Sequence, residues 1–218
     1  MKKIFLQLIT MSALALTANA QNFSVSTQYS YLTGHGANDN HSTLNGIAVL
    51  TSFAITDNMA VGTAIHTYPA KKSNYKSGDF SYMATDDVTN VAVSYKIRLA
   101  AISNIFQPYT GVDIGLSTSN HKVEFNNDLN NLQKFNIKKT YVMMSPKVGM
   151  NIALNKKFGV YTQAQYNFSP GDGGKTIIEV KNSKSSATIT TEPISKYYNI
   201  DTGVYMSIGN IKSILKNN

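Results

Sequence analysis

Five charged residues recur at one parity of the alternating segments in this chain: Lys96, Arg98, Asp113, Lys147 and Asp201. Side chains of like parity stand on one side of a sheet. If that side is enclosed, these charges must pair or hydrogen-bond, because an isolated buried charge is costly. Gln28, Gln163, Gln165, Asn199, Tyr161 and Tyr205 share the parity and carry the donors and acceptors to complete a network. The chemistry these residues offer is that of a polar plug. A narrow path for ions or small solutes along the same residues is the alternative.

The other chemistry-bearing residues are weaker candidates. A nucleophile needs a base within hydrogen-bond reach. His66, with Ser94 or Tyr68, is one combination, but no spacing selects it. His35, His41 and His121 fall in polar stretches read as loops. No pair of histidines has metal-ligand spacing. Gly173-Gly174-Lys175-Thr176 resembles the end of a phosphate-binding loop. The first glycine of that motif would fall on Ser169, and Ile177-Ile178-Glu179-Val180 continues as strand where a helix is required. These residues predict a hairpin, 176–180 against 187–191. The chain is therefore expected to have no catalytic residues, no cofactor and no metal.

The elements that must position the charges are strands. Residues 44–68 show the pattern most plainly. Ile47, Val49, Thr51, Phe53 and Ile55 alternate with Gly46, Ala48, Leu50, Ser52 and Ala54. Thr56-Asp57-Asn58 supplies turn chemistry, and Val61, Thr63, Ile65 and Thr67 resume the alternation. Similar segments fall at 23–33, 89–99, 106–117, 139–153, 158–168 and 196–208. Eight strands result, joined by alternating long and short connections. The long ones are 34–43, 69–86, 120–138 and 169–195. Up-and-down strands would place every short turn at one end and every long loop at the other, as in transmembrane barrels. Pro146 falls in mid-strand, where a bulge is expected.

Alternation alone does not say which face is inside, since water-soluble eight-stranded barrels alternate too. Three features favour apolar-out. The apolar face carries no charge between the ends of any of the eight segments, as lipid requires. Its aromatics collect near strand ends: Phe23, Phe53, Phe106 and Phe158 at the short-turn end, and Tyr29, Tyr31, Tyr166, Phe168 and Tyr198 at the other. The segments also match the length of a tilted membrane strand better than that of an ordinary globular one.

Residues 1–20 read as a signal peptide: Lys2-Lys3, an apolar core, then Ala18-Asn19-Ala20 before Gln21. No cysteine is present, so an exported chain of this size would depend on its sheet without disulfides. The 218 residues include 20 basic and 12 acidic ones, for a net charge of +8, with two of the lysines in the leader. This mild excess suits acidic sugars or lipid phosphates more than nucleic acid.

The leader, the eight segments and the run Gln107-Pro108-Tyr109-Thr110-Gly111-Val112-Asp113-Ile114-Gly115 resemble the small outer-membrane β-barrel family, including the OmpX- and OmpA-type and porin-like barrels. The resemblance implies an all-β, eight-stranded, antiparallel up-and-down transmembrane β-barrel over 21–210, in the outer membrane of a Gram-negative-type bacterium. A short basic tail, 211–218, would follow. Such barrels often end in an aromatic residue, whereas here Met206-Ser207-Ile208 precedes a polar end. The implied role is a structural or surface-interaction one, with a narrow solute channel or a lipid-modifying outer-membrane enzyme as alternatives. The implied partners are outer-membrane lipid and, through the long loops, acidic surface sugars or other host or environmental ligands.

Overall fold

The computed structural model describes residues 23–35, 41–77, 80–103, 105–126, 132–169, 176–181, 186–191, 194 and 196–208. The expected leader and tail lie outside them. The strands are β1 (Phe23–His35), β2 (His41–Ala54), β3 (Met59–Ser77), β4 (Phe80–Arg98), β5 (Phe106–Asn126), β6 (Leu132–Ala153), β7 (Phe158–Phe168), β8 (Thr176–Lys181), β9 (Ser186–Thr191) and β10 (Lys196–Ile208). Eight of them close into one antiparallel barrel, with each of β1–β7 beside the next and β10 between β7 and β1. Closure runs in an unbroken ladder from Phe23–Ile208 to Gly34–Tyr197. The remaining two, β8 and β9, pair as a hairpin from Thr176–Thr191 to Lys181–Ser186.

The barrel is inverted relative to a water-soluble protein. Ile47, Val49, Val93, Ile114, Val148, Ile200 and Val204 point outward, with Ile47 68% exposed and Val148 61%. Their opposite-parity neighbours Ala48, Leu50, Ala92, Ser94, Asp113, Lys147, Asn199 and Asp201 are buried. A continuous apolar exterior around a charged interior is stable against hydrocarbon and unstable against water. The structure thus resolves the direction that alternation alone leaves open.

Each short turn uses one side-chain oxygen to hold two backbone N–H groups. Thr56 Oγ1 accepts from Asn58 (3.3 Å) and Met59 (3.0 Å). Ser103 Oγ accepts from Ile105 and Phe106, both at 3.2 Å. Asn155 Oδ1 accepts from Lys157 (2.8 Å) and Phe158 (2.9 Å). Ser, Thr and Asn are the residues that favour this motif, so turn chemistry and sequence agree.

The long connections depart from the sequence reading. Residues 69–86 and 120–138 were expected to be loops but are largely strand. β3 continues to Ser77 and β4 starts at Phe80, while β5 runs to Asn126 and β6 starts at Leu132. Strands of 19–22 residues exceed the roughly 9–11 needed to cross a bilayer. A four-stranded wall, β3–β6, therefore rises above the rim. Its inner face buries Tyr82, Ala84, Val123 and Phe125, with Phe135 and Ile137 packed against them. Lys and Asn hid this wall from a polarity-based reading. Among the described residues β2 pairs with β3 only as far as Thr67 and β7 pairs with β6 only as far as Met144, which leaves the wall's outer strands with open edges there. Pro69, Lys71 and Lys72 lie along one edge, and Lys134, Lys138 and Lys139 along the other. Such residues discourage strand addition.

The bulge sits at a different proline. The β6–β7 ladder keeps one register across Pro146, from Met144–Phe168 to Lys147–Gln165, and omits only the intervening pairs. Ser145 Oγ donates to Asn167 Oδ1 at 2.5 Å beside this gap. The register shift occurs between Tyr68 and Lys71, where Pro69 and Ala70 oppose Asp87 alone. Pro69 has no N–H to give the ladder, and the extra residue marks where β3 leaves the barrel proper.

Ile114 is 48% exposed on the outward face. Ile114→Arg should weaken folding into lipid vesicles by about 2–4 kcal/mol if this belt meets hydrocarbon. Asn136→Arg, on the exposed face of the wall, should be nearly neutral. Equal tolerance of the two in a heat-modifiability assay would contradict the register.

Candidate functional site

The bore is filled in layers. At mid-height Lys147, on β6, places its ammonium on Asp113 of the neighbouring β5 and 2.7 Å from Ser94 Oγ on β4. Both charged side chains are fully buried. The strands bring them together because Gly111 pairs with Lys147 and Asp113 with Ser145, one step along the same face.

Asp201 makes a second centre. It accepts from Ser30 Oγ, from Asn199 Nδ2 at 2.9 Å and from Gln163 Nε2 at 2.7 Å. His66 Nε2 lies 3.6 Å from Oδ2, the oxygen that Gln163 also reaches, too far for a hydrogen bond. Gln28 bridges the layers: its carbonyl accepts from the Tyr161 hydroxyl, and its amide donates to His66 Nε2 at 2.9 Å. In that contact the amide is the donor and Nε2 the acceptor. Tyr109 donates to Gln163 Oε1 at 2.9 Å.

Toward the long-loop end the inward face becomes apolar. Leu32, Leu44, Tyr68, Val88, Ile194 and Tyr197 form one cluster, all at most 2% exposed. Ile194 reaches it from the last long connection, and its carbonyl accepts from the Tyr141 hydroxyl. Tyr68 bonds Ser30 at 2.7 Å, and Tyr197 accepts from Asn90 Nδ2 at 2.5 Å, so the polar tips are satisfied within an apolar layer. This layer was missed in the sequence. Its signal was present: Leu32, Leu44 and Val88 break the small-or-polar rule of the inward parity at matched heights, with Leu32 opposite Leu44 and Tyr68 opposite Val88.

Not every residue singled out from the sequence meets the partners expected of it. Asp201 is satisfied by the Gln163 and Asn199 amides and the Ser30 hydroxyl rather than by Lys or Arg. Lys96 lies over the Tyr109 ring at 5.0 Å and the Tyr161 ring at 5.8 Å. Arg98 Nη1 donates to the Asp57 carbonyl at 3.3 Å, toward the short turns. Tyr205 lies across Gly159, where an added Cβ would sit 2.4 Å from its ring. His66 and Ser94 are not brought together, because His66 pairs with Asn90 and Ser94 with Gly62. His121 is in β5, not in a loop, and its Nδ1 lies 2.5 Å from Asp86 Oδ1. His35 and His41 pair across β1 and β2.

The aromatics of the outer face sit at both ends of the barrel. Phe23 stacks on Phe53 at 4.7 Å, which leaves Phe53 only 5% exposed, while Phe158 is exposed at the same end. At the other end Tyr166 packs on Tyr198 at 4.7 Å and Phe168 at 5.9 Å, with Tyr31 also exposed.

No family model matches the chain, and no curated protein does. Solved structures do. The outer membrane protein OprG from Pseudomonas aeruginosa is similar over 87% of this chain and 97% of its own, with 10% identity and a TM-score of 0.58. Neisserial surface protein A covers 84% of this chain and 96% of its own, at 11% identity and a TM-score of 0.49. The attachment invasion locus protein Ail of Yersinia pestis covers 86% and 97%, at 8% identity and a TM-score of 0.49. The chain has the fold of the small eight-stranded outer-membrane β-barrels. At such low identity the shared property is the fold. The side chains that fill a small outer-membrane barrel have to be read from this chain itself.

Asp113→Asn would leave the Lys147 ammonium buried without a carboxylate, at a cost of about 3–5 kcal/mol where the site is dry. Adding Lys147→Met should recover most of that loss in denaturant unfolding from vesicles. A full-size loss in the double variant would show that the pair itself is not what matters. A Cβ at Gly149 would sit 2.5 Å from the Tyr109 hydroxyl and 2.7 Å from a backbone carbonyl. Gly149→Ala should therefore displace Tyr109 from Gln163 and cost about 2–4 kcal/mol, the worth of an ordinary hydrogen bond plus the overpacking against the backbone.

Proposed function

We propose that this chain is an outer-membrane protein that works at the cell surface with its bore closed, through its wall and long loops. The observation that carries this reading is the double seal. An apolar layer from Leu32 to Tyr197 caps a polar network from Gln28 to Asp201. Barrels of about eight strands are filled by side chains, whereas water-filled porins use 16–18 strands. The aromatics at the two ends, Phe23, Phe53 and Phe158 against Tyr31, Phe168 and Tyr198, then serve as interfacial girdles. Residues 1–20 serve as the export signal, removed near Ala20, and 211–218 as a tail on the periplasmic side. The bore network of Lys96, Arg98, Asp113, Lys147, Asp201, Gln163 and Tyr205 acts as structure rather than as a catalytic centre.

The outer face of the wall supports a polyanionic partner, such as an acidic surface sugar. Lys72, Lys122 and Lys138 are exposed there. Lys72 and Lys122 share one cross-strand row through Thr85, and Lys138 follows on β6. Of the acidic residues on that face, Glu124 is paired with Lys134 at 3.1 Å, and Asp87 accepts from Asn120 at 3.0 Å. The wall thus presents cations that the sheet itself does not neutralise.

Planar-bilayer recordings test the closed bore. The unmodified protein should give no steady single-channel current, and Tyr197→Ala with Ile194→Gly should give intermittent conductance. Steady current from the unmodified protein would favour a solute channel instead. Topology is tested in whole cells, where added protease should cut near Lys181 while Lys156 stays protected. Cleavage at Lys156 would reverse the orientation.

A further inference from the structure

Among the described residues nothing closes the short-turn end of the bore, whereas the other end is sealed. A cavity of about 590 Å³ sits there, within the size range of small-molecule sites. Its lining includes Lys96, Arg98 and Lys156 but neither Asp113 nor Asp201. Among the described residues no acidic side chain lines it. The other polar groups are hydroxyls and amides, Ser24, Ser26, Gln107 and Asn151 among them. Tyr109 and Tyr161 form the floor, and Lys96 rests on both rings.

The cations in this vestibule lack counter-ions. Among the described residues, the lysine–carboxylate pairs are Lys134–Glu124 and Lys147–Asp113. Lys96 and Arg98 have none, although both are drawn inside a low-dielectric wall. The ring faces and one turn carbonyl give them weaker compensation than a full negative charge would. A concave, donor-rich site with focused positive potential attracts anions. Ile105 and Leu154, both exposed, lie at its mouth and give an attached apolar group a surface to rest on.

We infer that this vestibule is a binding site for a phosphate-bearing ligand, held by Lys96 and Arg98 with the serine hydroxyls as further donors. A planar guanidinium beside an ammonium suits a phosphate with several acceptor oxygens. The phosphate belongs either to a soluble phosphate ester or to the headgroup of a lipid in the adjoining leaflet. The site is separate from the surface role proposed above, because it opens at the opposite end of the barrel.

The test uses the full mature barrel refolded in a phosphate-free glucoside detergent and in lipid nanodiscs. Titration with glycerol 3-phosphate, read by phosphorus NMR line broadening, addresses the soluble source. Native mass spectrometry of phospholipids retained from phosphatidylglycerol or phosphatidylcholine nanodiscs addresses the lipid source. The variants are Lys96→Met, which keeps the stem over the tyrosine rings, and Arg98→Gln. Lys196→Met, at the opposite end of the barrel, is the control, and heat-modifiable gel migration confirms that each variant is folded. We expect binding in at least one arm, weakened tenfold or more by Lys96→Met and by Arg98→Gln and unchanged by Lys196→Met. Loss confined to the soluble arm identifies a free phosphate ester, and loss confined to retained phosphatidylglycerol identifies a lipid headgroup. Absence of binding in both arms, or equal binding by all variants, overturns the site.

Discussion

Everything in this molecule depends on closing the ladder between β1 and β10. In hydrocarbon no water is available to an unpaired N–H or C=O, so a sheet that spans it must have no edge. The pairing from Phe23–Ile208 to Gly34–Tyr197 meets that demand along the whole of the last seam. Above the rim the demand lapses, and there the sheet does have edges, at β3 and β6. The change of rule along single strands explains why the same β3 is barrel wall up to Tyr68 and free edge beyond Pro69. Pro69 is tolerable only past the point where its missing N–H stops mattering.

Closure with eight strands then dictates the interior. The bore is too narrow for bulk water, so every inward side chain must fit its neighbours in size and in hydrogen bonding. Glycines and tyrosines solve the size problem together: Tyr109 occupies the space over Gly149, and Tyr205 that over Gly159. Charge is handled differently in the two centres. Lys147 and Asp113 neutralise each other directly, whereas Asp201 is held as an anion by amides and a hydroxyl. A buried ion pair adds little net stability over well-packed apolar groups. Its value here is in fixing β4, β5 and β6 to one register, since a one-residue slip would send Lys147 to the lipid side.

The period-2 pattern made the barrel legible before any coordinates, because lipid and bore impose opposite chemistry on alternate residues. Ile47, Val93, Ile114 and Val204 could be placed by parity alone. The wall was not legible, because above the membrane the outward face need not be apolar. Lys122, Lys134 and Lys138 read as loop residues, although Val123, Phe125, Phe135 and Ile137 between them kept the alternation. Parity also gave which residues face the bore but not who meets whom. Asp201 and Lys96 are both inward, yet the register sets Asp201 beside Gln163 and Asn199 and leaves Lys96 over tyrosine rings. Ile194 was beyond reach, since a residue that folds back from a long connection leaves no periodic trace.

The two ends of the bore obey different chemistry, and this asymmetry follows from their connections. Long connections can fold inward, so the outer end gains Ile194 and closes with an apolar layer. Short turns of the kind formed by Thr56 and Asn155 have no length to spare. Nothing of theirs can cover the bore beneath them, and the inward residues at that level stay accessible. Long cationic side chains are therefore tolerable there, because Lys96 and Arg98 reach the short-turn mouth while Lys147, one layer deeper, needs Asp113. In its described residues the barrel is in effect a cup, closed on the side of the wall and open on the side of the turns. A solute that enters from the turns meets Lys96 and the tyrosine floor first. To go further it would have to break the Tyr109–Gln163 and Tyr161–Gln28 bonds and then part an apolar layer. Binding at the mouth without passage is the behaviour that this order of layers favours.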